Sequence, residues 1–394
     1  MRIAVYLPEI EPTEGGGFTF QKSIFESLTE LAPRVDHEFL VYCRAAASPA
    51  KNIRTIEMRR RLPMAVRSRA SVMLRGVQDR ILGRRALDLP SWFESSVRAE
   101  GVHAVWFPTP LVEECELPFV FTVWDMQHLV QPWFPEVGAG GQWASREAMY
   151  RRNIRRAVRT IVPNRTSAQE LMTAFGIPED RLLILPHPTP RIETPSADDV
   201  ARVRAKYVLP QRYLFYPAQF WAHKNHVNLL HALKLVRDGG SDLTLVLCGS
   251  DKGNEAHVRA VTDSLGITQH VRFLGFVADA DLAALYGGAV ALTFVSFFGP
   301  ENLPPLEAFV VGCPVASSDY RGAREQLGDA ALFVAPEDPR QIANAILQLD
   351  GDVELRAKLI ARGRERSARW SGTDYVASVL SFFDDFAAVR RCWP

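Results

Sequence analysis

Short, almost uninterrupted apolar runs alternate along this chain with stretches whose apolar residues recur at helical spacing, the rhythm of βαβ units. In the second half the runs predict strands at Tyr213 to Pro217, Leu243 to Cys248, Val271 to Leu274, Ala289 to Phe294, Pro314 to Ser318 and Ala331 to Val334. Helices are predicted between them over Asn225 to Arg237, Asn254 to Leu265, Asp279 to Tyr286 and Pro339 to Leu349. Runs such as "LTLVLC" and "AVALTFV" lack the polar alternation of a half-exposed strand, as in a parallel sheet covered on both faces. The first half follows the same grammar, with strands predicted at Ile3 to Leu7, Glu38 to Cys43, Ala104 to Phe107, Phe119 to Val123, Thr160 to Val162 and Leu182 to Leu185.

Proline-rich "PHPTPRIETPSADD", Pro186 to Asp199, separates the halves as a linker, and a second boundary falls at "RWSGTDY", Arg369 to Tyr375, ahead of a closing helix. The expected organisation is α/β: an N-terminal Rossmann-like domain over residues 1–190, a C-terminal one over 205–368, and a last segment, 372–394, packing back on the first. Ligands of open parallel sheets collect at the carboxyl ends of the strands, so two such sheets face each other across a ligand-binding cleft.

Composition narrows the function. The chain has 394 residues, 47% hydrophobic, which is enough for two cores. Its 46 Lys plus Arg offset 45 Asp plus Glu, so no nucleic-acid partner is expected. Five scattered cysteines form no C-x-x-C pair, and no D-x-D pair or closely spaced histidines follow a strand, so neither a disulfide framework, a metal site nor a cofactor is expected. Met1 leads straight into a strand pattern, and no apolar run is long enough to span a bilayer, so a cytoplasmic protein is expected, with any membrane contact peripheral.

The most informative segment is "FGPENLPPLEAFVVGCPV", Phe298 to Val315. It follows a strand and opens a helix with Pro304 and Pro305, whose φ is preset and whose missing N–H costs nothing in a first turn. The N–H groups of Asn302 and Leu303 are then candidates to face an anion such as a diphosphate. Glu307 either accepts hydrogen bonds from a pair of ribose hydroxyls or merely complements the helix dipole. In "FYPAQFWAHKNH", Phe215 to His226, Lys224 is placed to neutralise a departing diphosphate, while His223 and His226 read as cap or solvent residues. "EGGGFTF" sets Gly15, Gly16 and Gly17 between the first strand and first helix, either a ligand-approaching turn or a bare connection. "FTVWDMQHLV" puts Asp125 and His128 after another strand; they are candidates to contact a sugar or acceptor hydroxyl, and His128 equally reads as a loop brace.

Together with "REQLGDAALFVAPEDP" and the "RWS" before the final helix, these segments resemble the retaining glycosyltransferase family 4, enzymes of the two-Rossmann GT-B type. The likeness covers nearly the whole chain and is strongest from Tyr213 onward. It implies that Glu307, the second glutamate of the family's E-x7-E signature, binds the nucleotide ribose, that Lys224 binds phosphate, and that Gly16 and Gly17 line the donor phosphate and acceptor side of the cleft. This sequence departs from the pattern at three places. Gly299 stands at the first signature glutamate, with Glu301 either a substitute or a solvated loop residue; Gln219 replaces a phosphate-binding arginine; and Trp124 replaces a common active-site histidine.

The resemblance implies a retaining, metal-independent hexosyltransferase that uses a nucleotide-diphosphate sugar and a saccharide or lipid-linked acceptor in bacterial surface polysaccharide or glycoconjugate synthesis. A sugar-nucleotide epimerase and a catalytically silent sugar-nucleotide-binding protein share the architecture. Arg54 to Arg85, rich in arginine with interleaved apolar residues, reads either as a solvated helix or as a surface for anionic lipid at the inner membrane face. The lipid-linked acceptors of many family members favour the lipid surface.

Overall fold

The computed structural model describes residues 1–8, 15–44, 50–58 and 91–393. They form two parallel Rossmann-like sheets. The first contains β1 (Arg2–Tyr6), β2 (Glu38–Cys43), β3 (Ile53–Glu57), β4 (Ala104–Phe107), β5 (Phe119–Thr122), β6 (Arg159–Val162) and β7 (Leu182–Ile184), in the order β3-β2-β1-β4-β5-β6-β7. The second contains β8 (Tyr213–Pro217), β9 (Thr244–Cys248), β10 (Val271–Phe273), β11 (Ala291–Phe294), β12 (Val315–Ser318) and β13 (Ala331–Val334), in the order β10-β9-β8-β11-β12-β13. Each sheet reverses its winding beside its first strand, between β1 and β4 and between β8 and β11, which opens a crevice there at the carboxyl ends.

The apolar runs form these strands because helices cover both faces. Leu214, Phe215 and Tyr216 in β8, and Leu245, Val246 and Leu247 in β9, have no exposed surface although successive side chains point to opposite faces. Register follows from that burial: Val5 lies opposite Val41 on one side and Trp106 on the other. The strand β3 was not expected. Its sequence, "IRTIE", is a polar, partly exposed edge strand with no continuous apolar run and no clean alternation, and Ile53 is its one buried residue.

The chain crosses between the sheets twice, and the crossings are tied together. Trp370 donates its indole N–H to Pro186 O at 2.8 Å, Thr189 bridges to Ser371, and Arg191 pairs with Glu30 at 2.7 Å. Ser371 and Asp374 form a capping box that starts the last helix, Gly372–Arg390. That helix packs on Gly16–Leu31 of the first half, and Gly372 is needed there: a Cβ would sit 2.4 Å from Ser27 Oγ. No helix among the described residues is long and apolar enough to cross a membrane. Most of the arginine-rich segment lies outside the described residues; Arg54, at its start, lies in β3 and is paired with Glu100.

Candidate active site between the two sheets

A cavity of about 370 Å³ lies where the two crevices meet. From the first half it is lined by Gly15, Gly16 and Gly17 after β1 and by Trp124 and Asp125 after β5. From the second it is lined by Gln219 and Lys224 after β8 and by the loop and helix start that follow β11, including Gly299, Glu301, Asn302, Leu303 and Glu307. Lys224 and Glu307, 83 positions apart by subtraction of their numbers, thus open into one cavity.

The helix Leu303–Val311 presents less bare backbone than its sequence suggests. The N–H of Asn302 is already taken, donating to Gln326 Oε1 at 3.0 Å, which corrects the expectation that it faces an anion. Pro304 and Pro305 have no N–H, so Leu303 carries the N–H without an acceptor among the described residues at this end. Asn302 acts through its side chain instead: its Oδ1 accepts from Lys224 Nζ at 3.5 Å, and its Nδ2 donates to Gly299 O at 2.9 Å. Gly16 brings the first half close to this point, since a Cβ there would lie 3.6 Å from Leu303 Cδ1.

Lys224 is the one lysine or arginine among the described residues that line the cavity. Burial lowers its pKa to about 8, partly opposed by the carboxylates of Asp125 and Glu136. Glu307 lies beyond the first turn of its helix, which removes the dipole-complementing alternative. It is buried, accepts a hydrogen bond from the Tyr286 hydroxyl at 2.7 Å, and has its pKa raised to about 7 by burial. A carboxylate held dry, with one oxygen occupied, gains from a ligand that brings further hydroxyl donors.

The other expected residues divide. Gln219 lies on the wall, its Oε1 accepting from Trp221 Nε1 at 3.0 Å. Glu301 is buried and its carboxylate accepts the N–H of His187, so the solvated alternative is corrected. Burial opposes ionisation of Asp125, but Arg146 at 2.8 Å and the N–H of Gln127 hold its pKa below the usual range. His128 is not brought to the cavity. It is fully buried, bonded through Nε2 to Glu147 at 3.3 Å and packed on Tyr150, because the short helix Gln127–Val130 turns it inward. This corrects the expectation of a sugar contact from His128 and leaves the brace. His223 and His226 are likewise buried, not at the solvent surface.

Several cavity residues carried no sequence signal of their own. His187, on the linker, meets Phe20 and Trp124 edge to face and has neither ring nitrogen bonded among the described residues. Phe276, half exposed at the lip, follows β10, where the strand pattern alone marks a ligand-facing end. Gly249, directly after β9, was not singled out from the sequence, although a glycine at a strand's carboxyl end is the signal that could have found it. Its φ is 148°, and a Cβ would stand 2.4 Å from Ala218 O. Gly249→Ala is expected to force the β8 and β9 loops apart and to cost about 3 kcal/mol, read as a lower urea midpoint.

Comparison with known proteins bears on the fold and on the second half of the chain. Residues 200–366 match the family model for glycosyl transferases group 1. O-antigen chain mannosyltransferase B of Escherichia coli is 32% identical over 227 residues, 55% of this chain and 58% of that protein. A D-inositol 3-phosphate glycosyltransferase of Salinispora tropica is 32% identical over 38% of this chain and 32% of its own length. Among solved structures, sucrose-phosphate synthase from Thermosynechococcus elongatus superposes with a TM-score of 0.75 at 17% identity, covering 98% of this chain and 99% of that one. Anabaena Alr3699/HepE in complex with UDP and glucose gives 0.69 at 16% identity, over 98% and 100%. No group of three or more His, Cys, Asp or Glu is placed to hold a metal among the described residues. Residues 200–366 thus resemble the glycosyl transferases group 1 domain, within a chain whose two facing sheets have the GT-B fold.

Proposed function

We propose that this chain is a retaining, metal-independent hexosyltransferase: it binds a nucleotide-diphosphate sugar against its C-terminal domain and transfers the hexose to a saccharide or lipid-linked acceptor entering from the N-terminal side. The supporting observation is that Lys224, Leu303 with its N–H, and the buried carboxylate of Glu307 line one cavity, with Gly15 and the helix start Gly16 and Gly17 opposite. Glu307 holds the ribose; Lys224 and the helix start take up the charge that builds on the leaving diphosphate. In same-face transfer the anomeric C–O bond to phosphate breaks as the acceptor oxygen bonds to that carbon. The acceptor proton then passes to the departing phosphate oxygen, so positioning and charge stabilisation are asked for more than a protein base. With Gly299 at the first signature position, Glu301, Asp125 and Trp124 on the cavity wall are the candidates to meet the sugar, and Asp125 is ionised to accept hydroxyl donors.

The mannosyltransferase relative and the neighbour containing UDP and glucose support a hexose donor and a role in glycoconjugate synthesis. The test is incubation with UDP- and GDP-hexoses, with and without saccharide acceptors, following nucleotide release and the anomeric configuration of product by NMR. Acceptor-dependent release with the donor's configuration kept is the expected result. An inverted sugar still attached to nucleotide points to an epimerase, and binding without turnover points to a silent binder; either outcome overturns the proposal.

A further inference from the structure

The segment Gln131–Gly138 belongs to the N-terminal half but reaches across the cleft. Gln131 donates its side-chain N–H to Phe297 O at 3.2 Å, and the Phe134 ring packs on Phe297 and Phe298. The segment is tightly folded: a Cβ on Gly138 would lie 2.1 Å from Pro132 O. At its tip Glu136, with a side chain only 7% exposed, accepts two hydrogen bonds from His223, one from the backbone N–H at 2.8 Å and one from ring Nδ1. Burial lowers the His223 pKa to about 4, so the ring is neutral and its Nδ1–H is the donor. The ring stacks on Phe298 at 3.8 Å, and the His223 carbonyl accepts from Phe297 N–H at 2.8 Å. His223 directly precedes Lys224 in the turn Ala222–Lys224. The second oxygen of Glu136, buried, has no hydrogen-bond partner among the described residues.

We propose that Glu136 is a positioning residue that acts across the cleft: by gripping His223 it fixes the turn carrying Lys224, so that the phosphate-binding cation is set in place by the juxtaposition of the two domains. This rests on the reading of Lys224 as the diphosphate ligand. A carboxylate that is merely a docking contact has no reason to be buried with one oxygen unbonded, whereas one held on the residue before a buried lysine adds negative potential at that ammonium. The charged groups facing Lys224 are Asp125 and Glu136, which favour its protonated form; His223 and His226 also face it, but burial keeps both rings neutral. The contact therefore has two separable effects, an anchor on the backbone and a charge near the ammonium.

Two variants separate them. Glu136→Gln retains an acceptor for His223 and removes the charge; Glu136→Ala removes both. The first readout uses the ligand-free protein: the ¹³Cε shift of Lys224, assigned by its absence in Lys224→Arg, is titrated between about pH 6 and about pH 10. Both variants are expected to lower the Lys224 midpoint by at least roughly half a unit. The second readout is titration calorimetry with UDP and GDP. Glu136→Gln is expected to bind within roughly threefold of the parent at pH 7 and more weakly as pH rises, and Glu136→Ala to lose about tenfold at every pH. An unmoved midpoint in both variants, or Glu136→Ala binding as tightly as the parent, overturns the inference. Failure of the parent to bind either nucleotide instead overturns the donor reading, while the lysine titration still decides whether Glu136 sets Lys224.

Discussion

Glu307→Gln will lose nucleotide binding and gain stability. Two charge-assisted hydrogen bonds from ribose hydroxyls to a buried carboxylate are worth together about 3 kcal/mol, so affinity for the donor nucleotide is expected to fall on the order of a hundredfold. The ligand-free protein should respond in the opposite sense. Glu307 has its pKa raised to about 7 in the folded chain, against an ordinary carboxyl near 4.5. A folded-state pKa above the unfolded one means that stability present below the ordinary value is lost as pH rises through the folded value. Between about pH 4.5 and 7 the parent therefore loses on the order of 3 kcal/mol relative to a neutral isostere. Urea unfolding at pH 5 and pH 8 checks this: the variant should match the parent at pH 5 and exceed it at pH 8. If the variant is weaker at both, Glu307 is a structural acceptor for Tyr286 and not a site held ready for a ligand.

Lys224→Met will cost the largest share of turnover. No other lysine or arginine among the described residues lines the cavity, and Gln219 stands where the family resemblance implies an arginine, so no second cation is placed to take over. Loss of a preorganised charge facing a leaving diphosphate is expected to lower kcat by roughly a hundred- to a thousandfold. Methionine keeps the packing against Phe294, over whose ring the ammonium lies at 5.4 Å, so the fold should survive. The pH profile gives the sharper test. Donor binding needs Glu307 ionised and Lys224 charged, with pKa values of about 7 and about 8, so affinity for a nucleotide sugar should rise toward pH 7 and fall above pH 8. The alkaline limb should vanish in Lys224→Met and the acid limb in Glu307→Gln. A profile of unchanged shape in either variant would show that the residue does not meet the ligand in its charged form.

How much of this site the amino-acid order discloses depends on how local each feature is. The proline pair, Glu307 on the helix behind it and Lys224 after β8 are local patterns, each tied to a strand end that periodicity locates. Where contact partners come from afar, local reading misplaced them. Gln326 takes the Asn302 N–H from 24 residues away, His187 in the linker supplies the hydrogen bond to Glu301, and Glu147 draws His128 into the N-terminal core. The edge strand β3 was missed for a related reason: half of it faces solvent, so burial leaves only a partial mark.

The apolar rhythm by itself determined that this chain builds two parallel sheets and put the chemistry-bearing residues at their carboxyl ends. It could do so because burial on both faces of a strand demands a short continuous apolar run, and here such runs are bounded by turn formers and separated by stretches of helical period. Only the tertiary structure decided which of those residues share a cavity, which are consumed by packing, and that Glu136 reaches across the cleft to the residue before Lys224. Those outcomes are set by hydrogen-bond and charge partners distant in the chain. A side chain's local sequence carries no information about which remote group will desolvate or satisfy it.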